Sequence, residues 1–250
     1  MELSAIIGTL IEDLKKKKEV EIMIESIQPV FTWSQDRIFA TGNRSVVLLV
    51  EWKGSEPPEH SRPRSYRVVA REIELRVWLE PHVAFIRSYG CDWEPGEGRS
   101  LLLKLGKIKT GQRKFIALEF SISATIAGVY EALSLQWKYK KPIVERVQEF
   151  PVKVLELEYT HHTQVLSEGC SFYVEKHLEL LKTATTIEEA TLLQNKGYHS
   201  QAHEMLCRHA DKLLLLAVRS GDELLLKEAE MLYKQIGFQF QKQSKALAGK

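Results

Sequence analysis

Between Val46 and Tyr159 one strand-like segment follows another, and nothing in that stretch reads as a helix. The segments are Val46–Trp52, Glu72–Leu79, Val83–Tyr89, Ser100–Leu105, Lys114–Ser121, Tyr130–Tyr139 and Val152–Tyr159. Glu72–Leu79 alternates polar and apolar residues, the pattern of a strand with one buried face. Val46–Trp52 is rich in apolar and β-branched residues, as a buried strand would be. Turn-rich pieces separate the segments, among them Glu94–Gly98 and Lys109–Gln112. Parallel strands need crossover connections, usually helices, so the absence of helices predicts an antiparallel arrangement. The expectation is an α+β chain built on an antiparallel, Ig-like β-sandwich over residues 19–160.

Both ends change period. Ile6, Ile7, Leu10, Ile11 and Leu14 recur at helical spacing, which predicts an amphipathic helix over residues 1–18, with Ser4 as a candidate cap. Lys15–Lys18 closes it, where cations suit the helix dipole. Val20–Ile24 then alternates loosely, as a strand does. After about His161 the strand pattern stops, and residues 161–250 read as a helical module. Its helices are expected at Ser171–Thr183, Ile187–Lys196, Ser200–Arg219 and Asp222–Gln239, punctuated by Gly197 and Ser220-Gly221-Asp222.

Composition narrows the function. With 44% hydrophobic and 27% charged residues the chain is an ordinary folding sequence. A net charge of +2 removes the electrostatic argument for nucleic acid. No apolar run approaches the roughly 20 residues of a membrane span, and no basic leader precedes an apolar stretch. Three cysteines far apart, Cys91, Cys170 and Cys207, suit reduced thiols in a cytoplasmic protein. No nucleophile elbow, phosphate loop, dinucleotide fingerprint or calcium loop occurs, so the chain is expected to be no enzyme and to need no cofactor.

The tightest cluster of reactive side chains is His199, His203 and Cys207, spaced four and four on one helical face. Imidazole and thiolate bind zinc, which makes this trio the candidate metal site of an alternative, metal-dependent reading. Cys170 and His177 are the nearest further ligands in sequence. His161-His162 ends the last strand, where neighbouring side chains point to opposite faces, and reads as a surface or hinge element. Glu72 and Glu74 are expected on one solvated strand face. Trp52, Trp78 and Trp137 fall within strands and read as core; Trp33 and Trp93 flank turns and are the candidates for exposure.

Val68–Val77, the stretch Leu103–Lys114 and the helices from Ser171 to Gln239 resemble, in that order, segments flanking the A domain in bacterial von Willebrand factor A domain proteins. Leu105-Gly106-Lys107-Ile108 is similar to the family's Leu-Gly-Asp-Leu, with Lys107 where Asp is usual, and Gly111-Gln112 completes that signature. The resemblance implies that Val20–Trp52 supplies leading strands and that an A domain would sit between about Trp52 and Ser65. Only Gly54–Pro63, a proline-rich break, is there, against the roughly 150–200 residues of a domain. The family's metal-dependent adhesion motif, Asp-x-Ser-x-Ser, is absent: no Asp is followed two residues later by Ser. What the resemblance implies is therefore a non-enzymatic scaffold or interaction protein whose partner is another protein, with the Gly54–Pro63 segment or the helical tail as the contact surface.

Overall fold

A computed structural model describes residues 26–55, 67–142, 146–166 and 169–248. The expected helix over residues 1–18, the strand Val20–Ile24 and most of the Gly54–Pro63 segment lie outside them.

Two sheets account for the β residues. Four strands, β1 (Ile27–Trp33), β3 (Arg44–Gly54), β5 (Val83–Tyr89) and β8 (Arg113–Ile122), form one sheet in the order β1-β3-β8-β5. The second sheet runs β2 (Arg37–Phe39), β11 (Lys153–Thr160), β9 (Gly128–Lys140), β4 (Val68–Leu79), β7 (Ser100–Lys109), β6 (Trp93–Pro95). A short β10 (Val147–Glu149) also pairs with β9. Every pairing is antiparallel except β2 with β11.

The inward faces of the two sheets share one core. Val46, Leu48, Val50 and Trp52 of β3 and Leu118 and Phe120 of β8 meet Leu75 and Val77 of β4 and Leu135 and Trp137 of β9. Trp52 and Trp137 touch across the gap with ring centroids 5.7 Å apart. Each fully buried aliphatic chain contributes about 1.5–3 kcal/mol by leaving water.

The outward faces differ. On the larger sheet, Lys104, Glu74 and Lys138 stand in register across β7, β4 and β9, a row of alternating charge. Glu94 meets Lys104 at 2.6 Å and Glu149 meets Lys138 at 3.4 Å, which extends the row to both sides. That is a solvated face. Glu74 belongs to it, but Glu72 does not alternate with it: β4 bulges there, Glu72 takes a left-handed φ of 49°, and its carboxylate pairs with Lys140 at 2.5 Å.

The outward face of the smaller sheet is apolar and covered. Helix α1 (Phe172–Asn195) lays Val174, Leu178 and Leu181 on Val47, Leu49, Tyr89 and Ala117. This is why β3 is apolar at every position from Val46 to Val50: alternate residues feed two different cores. Helices α2 (His199–Ser220) and α3 (Glu223–Ala248) pack on α1 around Leu206, Leu213, Leu225 and Leu232. Asp222 accepts hydrogen bonds from the Leu224 and Leu225 amides and also pairs with Lys176 of α1, which fixes the α2–α3 corner against the first helix.

The helical boundaries correct the sequence reading in two places. The helices expected at Ser171–Thr183 and Ile187–Lys196 are one continuous α1. The second helix starts at His199, with Tyr198 at the N-cap position, rather than at Ser200. Trp33 is also placed differently: it is buried, edge-on to Phe120 at 6.2 Å. The adjacent Ser34 donates its amide to the Val47 carbonyl at 2.7 Å and accepts the Val47 amide on Oγ at 2.9 Å, drawing the turn into the core.

Candidate functional site

The chain passes from the smaller sheet to the larger one through Gly90-Cys91-Asp92, between β5 and β6. Gly90 has φ +85°, and a Cβ there would lie 2.8 Å from Leu181 Cδ2 and 3.2 Å from the Phe115 carbonyl oxygen. The left-handed φ favours glycine here, and a side chain would also press on the Phe115 carbonyl and make Leu181 turn aside. The Ser88 hydroxyl donates to the Cys91 carbonyl at 2.9 Å and tightens the turn.

Two clefts open on either side of this crossover and share Gly90, Cys91, Asp92 and Leu181 as walls. The first, of about 640 Å³, runs between the crossover and α1, where Leu180, Ala184, Thr185 and Glu188 form the far wall and Trp93 one rim. The second, of about 440 Å³, runs between the β7 and β8 edges beside Lys104, Arg113 and Lys114. Trp93 is 42% exposed and packs edge-on against Phe85 with centroids 4.8 Å apart. A large aromatic held rigid from below yet open to solvent is the kind of residue that anchors interfaces. Of the two tryptophans singled out by their turns, Trp93 is the one that is open.

Burial, aided by Asp92, pushes the Cys91 thiol up to about 12, so it stays protonated at neutral pH and is no nucleophile. Lys114 has its ammonium pulled below the usual lysine range by burial and by Lys107 nearby. The second cleft is thus a place where positive charge gathers.

A second polar centre lies between α1 and α2. Glu179 is 2% exposed and its Oε1 accepts from Lys212 at 2.8 Å and Lys182 at 2.9 Å. His209 lies 3.9 Å from its other oxygen and shares a 3.0 Å hydrogen bond with the Thr183 hydroxyl through Nε2. Burial drives the Glu179 carboxyl up, but the bonds and charges of Lys212 and Lys182 outweigh it and hold it below the usual carboxylate range. Burial, with Lys182 and Lys212, holds His209 below the usual imidazole range. Neither residue stood out in sequence, yet a signal was there: His209 sits inside the apolar stripe Leu206, Ala210, Leu213, where a polar side chain needs a buried partner.

The trio on α2 is only partly assembled. His203 Nε2 and Cys207 Sγ are 3.6 Å apart, while His199 is exposed in the first turn. His177 is elsewhere, stacked on Phe115 at 4.0 Å, and Cys170 is exposed before α1. Among the described residues no three His, Cys, Asp or Glu side chains are placed to hold a metal ion. His161 and His162 are both exposed beyond β11, His161 edge-on to Phe39 at 6.4 Å.

No family model matches this chain, and no curated protein matches it. Solved structures do. The von Willebrand factor type A protein from Catenulispora acidiphila is similar over 67% of this chain at 17% identity and a TM-score of 0.47. This chain spans only 39% of that protein's length. The ArnB paralog VWA2 from Sulfolobus acidocaldarius is similar over 85% of this chain and 98% of its own, at 8% identity and a TM-score of 0.50. A cohesin module of a Clostridium perfringens family 33 glycoside hydrolase covers 54% of this chain at 9% identity and 0.33. At 8% identity the likeness to VWA2 concerns the fold alone. No described helix is long and apolar enough to cross a membrane.

Proposed function

We propose that this chain is a non-enzymatic scaffold or protein–protein interaction protein of the bacterial cytoplasm, built like the accessory regions of von Willebrand factor A domain proteins. The observation that carries this reading is the crossover site: a solvent-open Trp93 on a rigid frame, beside two clefts walled by α1 and the sheet edges. A frame joined to its helical layer through a continuous apolar contact presents such a surface without reorganising, which lowers the cost of association. The Ig-like character of the sandwich belongs to this reading, as do the free thiols of Cys91, Cys170 and Cys207, which fit a reducing compartment.

The test is affinity purification from the native host with the full chain and its Trp93→Ala variant side by side. A reproducible protein partner is expected with the first, and recovery about tenfold lower with the second, the effect of losing an interfacial aromatic anchor worth about 1.4 kcal/mol or more. Equal recovery with both chains removes Trp93 from the interface. Turnover of a small molecule by the purified protein would overturn the non-enzymatic reading.

A further inference from the structure

Two strands lose their neighbours beside the crossover. β8 pairs with β3 along Arg113–Ile122, but with β5 only along Ala117–Ile122. Among the described residues, no strand pairs with the other edge of β8 at Arg113–Ile116. β7 likewise pairs with β4 along its whole length, while β6 covers only Leu101–Leu103. The two edges border the same slot of about 440 Å³, which Gly90-Cys91-Asp92 closes at its Phe115–Ile116 end, where Gly90 lies against both residues. An open edge presents unpaired backbone donors and acceptors and is a ready template for another strand.

The two edges are not equivalent. β7 is bulged there, with Gly106 at φ +74° opposite Ile73, and a bulged edge resists pairing. β8 keeps unbroken register with β3 from Arg113 to Ile122, so its Arg113–Ile116 edge is regular. Charge then selects the occupant. Arg113 is engaged by Glu51 at 3.3 Å and Lys104 by Glu94 at 2.6 Å. Lys107 and Lys114 lie close enough to repel one another, and among the described residues neither has an acidic partner. Among the described residues, Asp92 is the one carboxylate lining this slot.

We propose that the free edge of β8 at Arg113–Ile116 takes an extended acidic segment of a partner protein as an added strand. Its carboxylates meet Lys107 and Lys114, and its apolar side chains rest against Leu181 and the crossover. Main-chain bonds to the edge give affinity and the alternating side chains give selectivity, the mode of recognition by strand addition. This rests on the interaction role proposed above and names the chemistry of its partner.

The probe is a blocked peptide of about eight alternating Glu and Val residues, a strand's length, with a Lys–Val peptide as its counterpart. Both are titrated into the full chain and followed by backbone amide hydrogen exchange. Saturable binding of the Glu–Val peptide is expected, with exchange slowed roughly tenfold at residues 113–116 and no comparable effect of the Lys–Val peptide. Lys107→Glu with Lys114→Glu is expected to weaken binding roughly tenfold without lowering the melting temperature, because both side chains lack acidic partners to lose. Binding without protection of 113–116, or equal binding of both peptides, overturns the proposal. So does protection that grows with protein concentration in the absence of peptide, which assigns the edge to a second copy of the chain. Failure of the peptide while Trp93→Ala still loses its native partner removes strand addition alone and leaves the interaction role standing.

Discussion

Replacing Gly54 with alanine is expected to destabilise the fold by about 3 kcal/mol, lowering the melting temperature by about 10 °C. Gly54 ends β3 where the β7–β8 hairpin crosses from the larger sheet to the smaller one. A Cβ at this position would sit 2.2 Å from the Lys109 carbonyl oxygen and 3.0 Å from both the Lys109 carbonyl carbon and Val69 Cγ2. The obstacle is mostly backbone, so no side-chain rotation relieves it. Moving the hairpin away would break a pair of bonds that joins the sheets: the Gly54 amide donates to Gln112 at 2.9 Å, and the Gly111 amide donates to Gly54 at 3.0 Å. The Gln112 side chain also accepts the Lys109 amide at 3.1 Å. Gly111 supplies the control. Its φ is +67° with open space around it, so Gly111→Ala meets only the left-handed backbone penalty, about 1 kcal/mol. Thermal melts of the two variants separate close approach from backbone conformation. A Gly54→Ala chain as stable as the parent would mean the hairpin does not rest on β3.

The same junction shows what the sequence makes readable. The alternation of Glu72–Leu79 and the unbroken apolar run of Val46–Val50 are visible because burial on one face or two leaves different periods. The second reading requires a cover on the outward face, and α1 is that cover. β1 is harder to see because Pro29 interrupts it. Proline is tolerated there since β1 is an edge strand, paired among the described residues only with β3, and edge position is a property of topology. The gap read between Thr183 and Ile187 came from the weak helix propensity of Thr183, Thr185 and Thr186. Tertiary contacts override it: Thr183 is buried, returning its hydroxyl to the Glu179 carbonyl at 3.3 Å and meeting His209.

The candidate site was legible in one residue and hidden in its setting. Trp93 beside a turn is a visible hint of an exposed aromatic. The clefts around it depend on β5 and β6 ending short of β8 and β7, which no local pattern encodes. Glu179 was hidden because a glutamate in a helix is read as solvent-facing. Its burial follows from α2 supplying Lys212 from 33 residues further along the chain.

Acid is expected to weaken the fold in two stages, and the Glu179–His209 centre contributes to both. His209 titrates in the folded chain below its ordinary 6.5, because burial disfavours the imidazolium. As pH falls through 6.5 the unfolded chain takes up a proton that the folded chain refuses, so stability declines toward acid by up to about 1.4 kcal/mol per pH unit for one such group. His177, stacked on Phe115 and shifted the same way by burial, adds to this first stage. Glu179 has its folded value below its ordinary 4.5, so its contribution is complete above that pH and is lost as pH falls through the folded value. His209→Gln is expected to flatten the stability profile between pH 7 and 5 by at most one proton's worth, with the remainder left to His177 and to His82, which burial shifts the same way. Glu179→Gln is expected to shrink the second stage, leaving the part due to Asp222 and Glu72, whose carboxyls Lys176 and Lys140 also hold below the usual range, and to cost about 2 kcal/mol near pH 7. That figure lies below the full penalty for an orphaned buried pair, because the Lys212 side chain is 50% exposed and can turn to water. Urea melts of the three chains from pH 7 to pH 3 measure both stages. A profile that stays level through pH 5 would show His209 accepting its proton in the folded state, with Glu179 rather than Thr183 as its effective partner.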